Sequence, residues 1–288
     1  MKRITKPGYV GRPDFESYSE KFKDFFHMER RNGIILARMH HLGESAKFDY
    51  SAHNAWGQAW HEIGNDPENE VMILTGTGDE WVGNHTAATY KESPGKRTAF
   101  DMYEEGYYDG LKVLENLLFD VDIPTIAALN GPGTFTMLAL LCDITLCSEK
   151  AGFYDLHFPM GVVPGDGQHL TFQELMGTKR AAYYLYTGDP IDAQTALAMG
   201  MVNEVLPHEK LLPRAWQIAE SIMQKPRTVR RITSQLIRRP WKRRFLEDFH
   251  MGYANEQLCV YAEAPDPQLM GKVAVESLES AKNKARKK

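Results

Sequence analysis

Short apolar runs that alternate with longer amphipathic stretches constrain the fold of this chain more than any other feature. The run Val71-Met72-Ile73-Leu74-Thr75 is apolar and partly β-branched, which is typical of a strand buried on both faces of a parallel sheet. A helix is predicted at about 98–118, and further strands are predicted at 124–129 and 143–147. Strands that alternate with helices in this way predict an α/β chain built from βαβ-type units.

The first part of the predicted core is a hairpin followed by a helix. Two strands, at 26–30 and 33–39, are predicted to be joined by a tight turn. A helix is expected at about 51–63, with Ser51 as its N-cap. His53 falls in the first turn of that helix, where the helix dipole favours a neutral imidazole.

The remaining elements divide the chain into four predicted parts. Further helices are expected at 136–141, 170–175, 179–187, 193–199, 211–224 and 228–255, with a short strand at 202–206 and a break near Pro240. The four parts are an irregular N-terminal arm (1–20), a core domain (21–210), a C-terminal helical segment (211–265) and a basic, flexible tail (266–288).

The composition favours one globular domain with appendages. The chain has 288 residues, 43% of them hydrophobic, and a formal net charge of −4, which argues against nucleic-acid or membrane-surface binding. No apolar stretch reaches membrane length, and the N-terminal sequence lacks the apolar core of a signal peptide. The cysteines have no metal-ligand spacing and indicate reduced core residues, so we expect a cytoplasmic enzyme or binding protein.

A loop rich in glycine and proline carries the strongest functional signal. The stretch AGFYDLHFPMGVVPGDGQHL, at 151–170, contains His157, Asp166 and His169. Such a loop lets side chains converge, and a carboxylate that fixes one histidine tautomer prepares it to act as a general base. We therefore predict His157 as a base held by Asp166, and His169 as a structural residue. The alternative is a histidine at a strand end that makes only a structural hydrogen bond.

Five segments resemble the crotonase (enoyl-CoA hydratase/isomerase) superfamily over about residues 25–260. They are VMILTGTG at 71–78, IPTIAALNGP at 123–132, LLCDITLCSEKAGF at 140–153, GVVPGDGQ at 161–168 and YLYTGDPIDAQTALAMGMVNEVL at 184–206. The resemblance implies an α/β fold, a crotonase-like spiral of repeated ββα units with a C-terminal helical trimerisation segment. It also implies a homotrimer or a dimer of trimers.

The chain departs from the hydratases of this superfamily at both positions that carry a catalytic glutamate there. Met137, in the segment NGPGTFTML, stands where one glutamate is expected, and His157 occupies the position of the other. The segment GNHT at 83–86 replaces the AGAD of the CoA enzymes, so His85 stands where an oxyanion-hole amide usually points. These departures argue against hydration of a CoA thioester.

The same departures resemble the β-diketone hydrolases, a branch of carbon–carbon hydrolases that includes 6-oxocamphor hydrolase. HFPMGVVPGDGQH at 157–169 matches the motif of that branch, as do His53 at a helix start and Glu256 in ANEQL. The resemblance implies retro-Claisen hydrolysis of a cyclic or bicyclic β-diketone to a keto acid. The branch carries a histidine after NGP, where this chain has Thr134-Phe135-Thr136, and His85 is expected to take its place.

Each candidate residue has an expected role in that reaction. His157, held by Asp166, activates a water molecule as a general base. His53 and His85 hydrogen-bond the diketone oxygens where negative charge develops, and Glu256 is a second proton carrier or a positioning group. No metal is expected, because the histidines lack metal-ligand spacing, and no cofactor is expected, because GNHT replaces AGAD. The expected substrate pocket consists of Phe48, Trp81, His85, Phe135 and Thr136.

Two other functions are consistent with the sequence. A chain of this superfamily could be an acyl-CoA hydratase or isomerase that uses Asp166 as its acid–base group. The basic segment 225–245, with Trp241 and Phe245 interleaved, could instead bind nucleic acid. The other interpretation of that segment is an amphipathic helix, in which the residues expected to face the core are Val229, Ile232, Leu236 and Ile237.

Overall fold

A computed structural model describes residues 10–83, 98–263 and 266–286 as an α/β fold. The strands are β1 (Phe26–Arg31), β2 (Ile34–Met39), β3 (Ala46–Lys47), β4 (Val71–Thr75), β5 (Val82–Gly83), β6 (Thr125–Leu129), β7 (Ile144–Ser148), β8 (Gly152–Phe153), β9 (Ile191–Asp192) and β10 (Glu204–Leu206). The helices are α1 (Phe15–Lys21), α2 (Tyr50–Asn65), α3 (99–120, with π-helical turns at Met102–Tyr108 and Asn116–Asp120), α4 (Met137–Leu140), α5 (Gln168–Met176), α6 (Thr178–Thr187), α7 (Ala193–Met199), α8 (His208–Met223), α9 (Arg227–Ile237), α10 (Arg239–Glu263) and α11 (Pro267–Arg286). None of these helices combines the length and the apolar character needed to cross a lipid bilayer.

The main sheet has six strands in the order β1-β2-β4-β6-β7-β10. β1 and β2 are antiparallel, and the other neighbouring strands are parallel. Asn32 and Gly33 join β1 to β2 with φ values of 50° and 84°, the left-handed conformation that a two-residue hairpin turn requires. The predicted hairpin and the predicted buried strand at 71–75 are both confirmed.

Helices cover both faces of this sheet. α8 packs on one face through Leu211, Ala215 and Ala219, while α2 packs on the other with Trp56 and Trp60 fully buried. Because β4, β6 and β7 are parallel, the loops that follow them leave the same edge of the sheet. The loops after β6 and β7 meet at that edge, the usual location of a ligand site in an α/β fold.

Two segments that were predicted to be irregular contain helices. α1 lies within the predicted N-terminal arm; Asp14 caps it by accepting a hydrogen bond from Ser17 N–H (3.3 Å), and Tyr18 is buried. α11 occupies most of the predicted flexible tail, where Ala274 and Ala281 are buried against the segment after β8. The basic composition of the tail suggested a flexible segment, but the tail also contains small apolar residues at helical spacing. These residues pack against the segment after β8.

Helix α9 presents its apolar face outward, so the predicted orientation of this helix is wrong. Its inner face carries Arg230 and Ser234, and Arg238 follows at its end. Arg230 pairs with Glu70 at 2.6 Å, and Arg238 pairs with Asp143 at 2.9 Å. A buried carboxylate requires a cationic partner, so these acids determine which side of α9 packs. The side chains left 50–65% exposed are Val229, Ile232, Leu236 and Ile237.

Candidate active site

The segment after β8 places an imidazole against a buried carboxylate. His157 Nδ1 lies 3.0 Å from Asp155 Oδ2, and the backbone N–H of His157 donates to Asp155 Oδ1, also at 3.0 Å. Asp155 is 3% exposed. Because a carboxylate accepts hydrogen bonds, Nδ1 carries a proton, and in the neutral form of the ring Nε2 has the lone pair that a base needs. The residue that holds His157 is therefore Asp155, and the prediction that Asp166 holds it is wrong.

Two further carboxylates face the other ring nitrogen of His157. Nε2 lies 3.8 Å from Asp166 Oδ2 and 3.7 Å from Glu256 Oε2. These distances are too long for direct hydrogen bonds but are short enough for a water molecule to bridge Nε2 and either carboxylate. Three of the predicted catalytic residues thus lie together, with the lone pair of the base toward two acids.

Two glycines allow α10 to bring Glu256 into this group. A Cβ atom on Gly165 would lie 2.1 Å from the carbonyl oxygen of Gly252, and one on Gly252 would lie 2.9 Å from His169 Cε1. Glu256 follows Gly252 by one helical turn, and its Oε2 accepts a hydrogen bond from Gly165 N–H at 3.0 Å. His169 is half-buried in this contact between helix and loop, where loss of solvent lowers its pKa to about 4.

Burial and mutual charge shift the pKa values of the whole group. Burial lowers the pKa of His157, but the charges of Asp155, Asp166 and Glu256 outweigh it and raise that pKa well above its usual value. Burial raises the pKa of Asp166, and it raises the pKa of Glu256 to about 8, against the opposing charge of His157. Shifted pKa values in a coupled group of this kind are typical of residues that transfer protons.

The group faces a cavity of about 170 Å³. His53, from the first turn of α2, lies in its wall with ring centroids 4.7 Å from Phe48 and 5.5 Å from Phe135. The N-cap of α2 is Asp49, which accepts a hydrogen bond from the Ala52 N–H at 2.7 Å, and not Ser51 as predicted. Apolar side chains form most of the remaining wall, among them Val113, Leu114, Met137, Leu156, Met160 and Val162.

Two residues that were expected in the substrate pocket lie behind its wall. Trp81 is fully buried, and its Nε1 donates to the carbonyl oxygen of Phe135 at 3.1 Å. Thr136 is also fully buried, and its hydroxyl donates to Gln168 Oε1 at 3.2 Å. Phe135 has a φ of 53°, so Trp81 supports a strained loop and does not contact the cavity itself. His85 lies outside the described residues.

Sequence reasoning missed two residues of this site. Asp155 did leave a signal, because an aspartate often accepts a hydrogen bond from the backbone two residues later, here that of His157. Gln168 left none: it lines the cavity only because the start of α5 lies beside the loop after β6.

One set of residues in this group could hold a metal ion. Asp155, His157 and Asp166 each offer one ligand atom, and these atoms lie within 4.8 Å of one another. The 3.0 Å contact between Asp155 and His157 is the length of a hydrogen bond, which a metal between them would replace. The expectation that the reaction needs no metal stays a prediction.

A parallel-rich sheet with a proton-transfer group at the carboxyl ends of its strands defines this chain as an α/β enzyme. Residues 29–263 match the profile of the enoyl-CoA hydratase/isomerase family, and the chain belongs to that family of the crotonase superfamily. The crotonase-like fold expected from the sequence is thereby confirmed.

One of the solved structures that are similar to this chain contains a bound ligand. A β-diketone hydrolase from the cyanobacterium Anabaena, bound to (S)-3-oxocyclohexyl acetic acid, is 34% identical with a TM-score of 0.80. The match covers 88% of this chain and 100% of that one. An enoyl-CoA hydratase/isomerase from Mycobacterium paratuberculosis is 21% identical with a TM-score of 0.76, covering 88% and 98%, and shows the fold alone.

Two sequence relatives have names that specify CoA substrates. Crotonyl-CoA hydratase from Syntrophomonas wolfei is 33% identical over 165 residues, and the match spans 57% of this chain and 62% of that relative. Carnitinyl-CoA dehydratase from Salmonella enteritidis is 31% identical over 199 residues, spanning 67% and 72%. The family is therefore established, and two chemistries remain to be distinguished.

Proposed function

We propose that this enzyme hydrolyses a carbon–carbon bond of a cyclic or bicyclic β-diketone and releases a keto acid by a retro-Claisen reaction. The observation that carries the proposal is the Asp155–His157 pair, whose free Nε2 faces Asp166 and Glu256 in a small cavity. The similarity to a β-diketone hydrolase over most of the chain supports it.

The geometry supports a reaction in which His157 handles the proton of water. Nε2 takes a proton from a water molecule as the water oxygen forms a bond to one carbonyl carbon. The bond from this carbon to the α-carbon then breaks, and its electron pair forms the enolate of the second carbonyl. The α-carbon finally receives a proton from His157 or Glu256, so that one water molecule is consumed and a carboxylic acid and a ketone result.

The cavity wall argues against the hydratase chemistry of the CoA relatives. Met137, which stands at the position of one hydratase glutamate, lines the cavity and offers no acid or base there. The position of the second glutamate is occupied by His157. A hydratase reaction in this cavity would therefore lack both hydratase glutamates and would use Asp166 as its acid–base group, as in the alternative function considered above.

The test is a panel of cyclic and bicyclic β-diketones assayed by loss of ultraviolet absorbance, with crotonyl-CoA as the competing substrate. We expect diketone loss with a product heavier by one water molecule, and ¹⁸O from labelled water in its carboxylate. Turnover of crotonyl-CoA with no diketone cleaved would refute the proposal and favour the hydratase alternative. Dialysis against a chelator should leave the diketone activity intact.

The pH dependence of the reaction follows from the raised pKa of His157. A base must be unprotonated, so activity is lost as pH falls through this raised pKa. We therefore expect the acid limb of kcat/KM to lie above the reference histidine pKa of about 6.5, because kcat/KM reports the free enzyme. The limb belongs to the coupled group and not to one residue. An acid limb at or below pH 6.5 would contradict the charge arrangement described here.

The basic segment at 225–245 has contacts that disfavour the nucleic-acid alternative. Arg227 and Arg230 pair with Glu70, both at 2.6 Å, and Arg231 pairs with Asp122 at 3.0 Å. Cations that neutralise acids of the same chain are poorly placed to bind phosphates. A titration of RNA binding at increasing salt concentration would test this. The cytoplasmic location expected from the sequence stays a prediction.

We further propose that the outward apolar face of α9 is buried in a homotrimer or a dimer of trimers. A row of exposed apolar side chains on one helix marks an interaction surface, and the trimers expected from the family resemblance would cover it. Leu236→Glu places a charge in that face and should release smaller species in light scattering. Thr178→Glu, an exposed change at the start of α6 and outside this face, should leave the assembly intact. A wild-type monomer at micromolar concentration would refute the assembly.

A further inference from the structure

The side chain of Gln168 is buried at the cavity wall with only one end of its amide satisfied. The residue is 1% exposed and lines the cavity. Its Oε1 accepts hydrogen bonds from Thr136 Oγ1 and from the backbone N–H of Met137, both at 3.2 Å. Its Nε2 has no hydrogen-bond partner among the residues that the structure describes.

The orientation of this amide is determined by its backbone partner. The N–H of Met137 can only donate, so the atom facing it must be the carbonyl oxygen of Gln168, and the NH₂ group must point the other way. Buried amide donors are almost always hydrogen-bonded in folded proteins. A fixed donor without a protein partner, in a residue that lines the cavity, is suited to bind an acceptor on a ligand.

We infer that Gln168 Nε2 donates a hydrogen bond to a carbonyl oxygen of the substrate. The inference rests on the proposed function and adds a specific residue to it. As water attacks the carbonyl carbon, the π electron pair moves onto this oxygen, and the negative charge is stabilised by a donor that is already oriented. Gln168 also contacts an acid that faces the base, since its backbone N–H donates to Asp166 Oδ1 at 3.1 Å.

Two substitutions separate the donor from the packing role of this side chain. Gln168→Glu keeps an oxygen to accept the Thr136 and Met137 hydrogen bonds and, at alkaline pH where the carboxyl is ionised, replaces the donor with a negative charge. Gln168→Met keeps the length of the side chain and removes both functions. The matched control is Gln173→Glu, the same change in the same helix, where the residue contacts Arg244 at 2.8 Å outside the cavity.

We expect both Gln168 variants to lower kcat for a diketone that the wild type cleaves by about 10²-fold to 10³-fold, with KM changed far less. Gln173→Glu should match the wild type. A kcat within about threefold of wild type in folded Gln168→Met would overturn the inference, since a lost donor costs more than that. If that variant does not fold, Gln168→Glu at alkaline pH decides by the same criterion. A wild type that cleaves no diketone refutes the proposed function itself, and the inference falls with it.

Discussion

His157→Ala is expected to lower kcat for diketone hydrolysis by about 10²-fold to 10⁴-fold, the range that a positioned general base supplies. The substitution removes the lone pair at Nε2 that faces Asp166 and Glu256, and no other imidazole is described within this group. Because the proton is transferred only in the reaction, the loss should fall on kcat more than on KM. Steady-state kinetics on a diketone found in the substrate panel measures it.

The matched control for this prediction is His169→Ala. His169 belongs to the same loop and lies in the contact with Gly252, where burial lowers its pKa to about 4. Its removal should lower the melting temperature while the folded enzyme keeps most of its kcat. Near-wild-type turnover in folded His157→Ala would remove this residue from the mechanism, whatever substrate the enzyme uses.

Asp155→Asn should be nearly as damaging, with a loss of about 10²-fold to 10⁴-fold in kcat. An asparagine keeps an oxygen to accept the backbone N–H of His157, but its NH₂ group would face Nδ1 and favour the tautomer with the proton on Nε2. That tautomer cannot take a proton from water. Removal of one carboxylate should also lower the pKa of His157 and shift the acid limb of any residual activity to lower pH.

Asp166→Asn is the comparison that distinguishes the two acids. Asp166 lies 3.8 Å from Nε2 and makes no hydrogen bond to Nδ1, so its loss should leave the tautomer of His157 unchanged. We expect a smaller fall in kcat for Asp166→Asn than for Asp155→Asn, and a double variant of Asp155 and His157 little worse than His157→Ala. The reverse order for the two aspartates would restore the sequence-based assignment.

Much of the fold could be predicted because its elements have local causes. The hairpin at Asn32-Gly33 depends on its turn residues, and the strand at 71–75 depends on an apolar run. Both signals are local in the sequence. The orientation of α9 could not be predicted in this way. The sequence shows that α9 has an apolar face and a polar face, but it does not show which of them packs against the protein. Two distant acids, Glu70 and Asp143, decide this.

The candidate site shows the same division between local and distant causes. The motif at 157–169 and its match to the β-diketone hydrolases predicted His157, Asp166 and Glu256 as one group, and the structure places both carboxylates within 4 Å of His157 Nε2. The motif could not decide which aspartate holds the ring, because that depends on the backbone conformation between residues 155 and 157. Gln168 is defined by a contact with the loop after β6, which has no sequence signature.

The acids around His157 also affect the last step of a catalytic cycle. In the proposed reaction a neutral diketone enters the cavity, and the keto acid formed there carries a negative charge at neutral pH. The cavity is small and largely apolar, so this charge is poorly screened from Asp155 and Asp166. In that reaction the same carboxylates that raise the pKa of His157 would repel the product once the imidazole is neutral, and this would favour its departure. An anionic product stays bound most readily while Glu256, with its pKa of about 8, holds a proton.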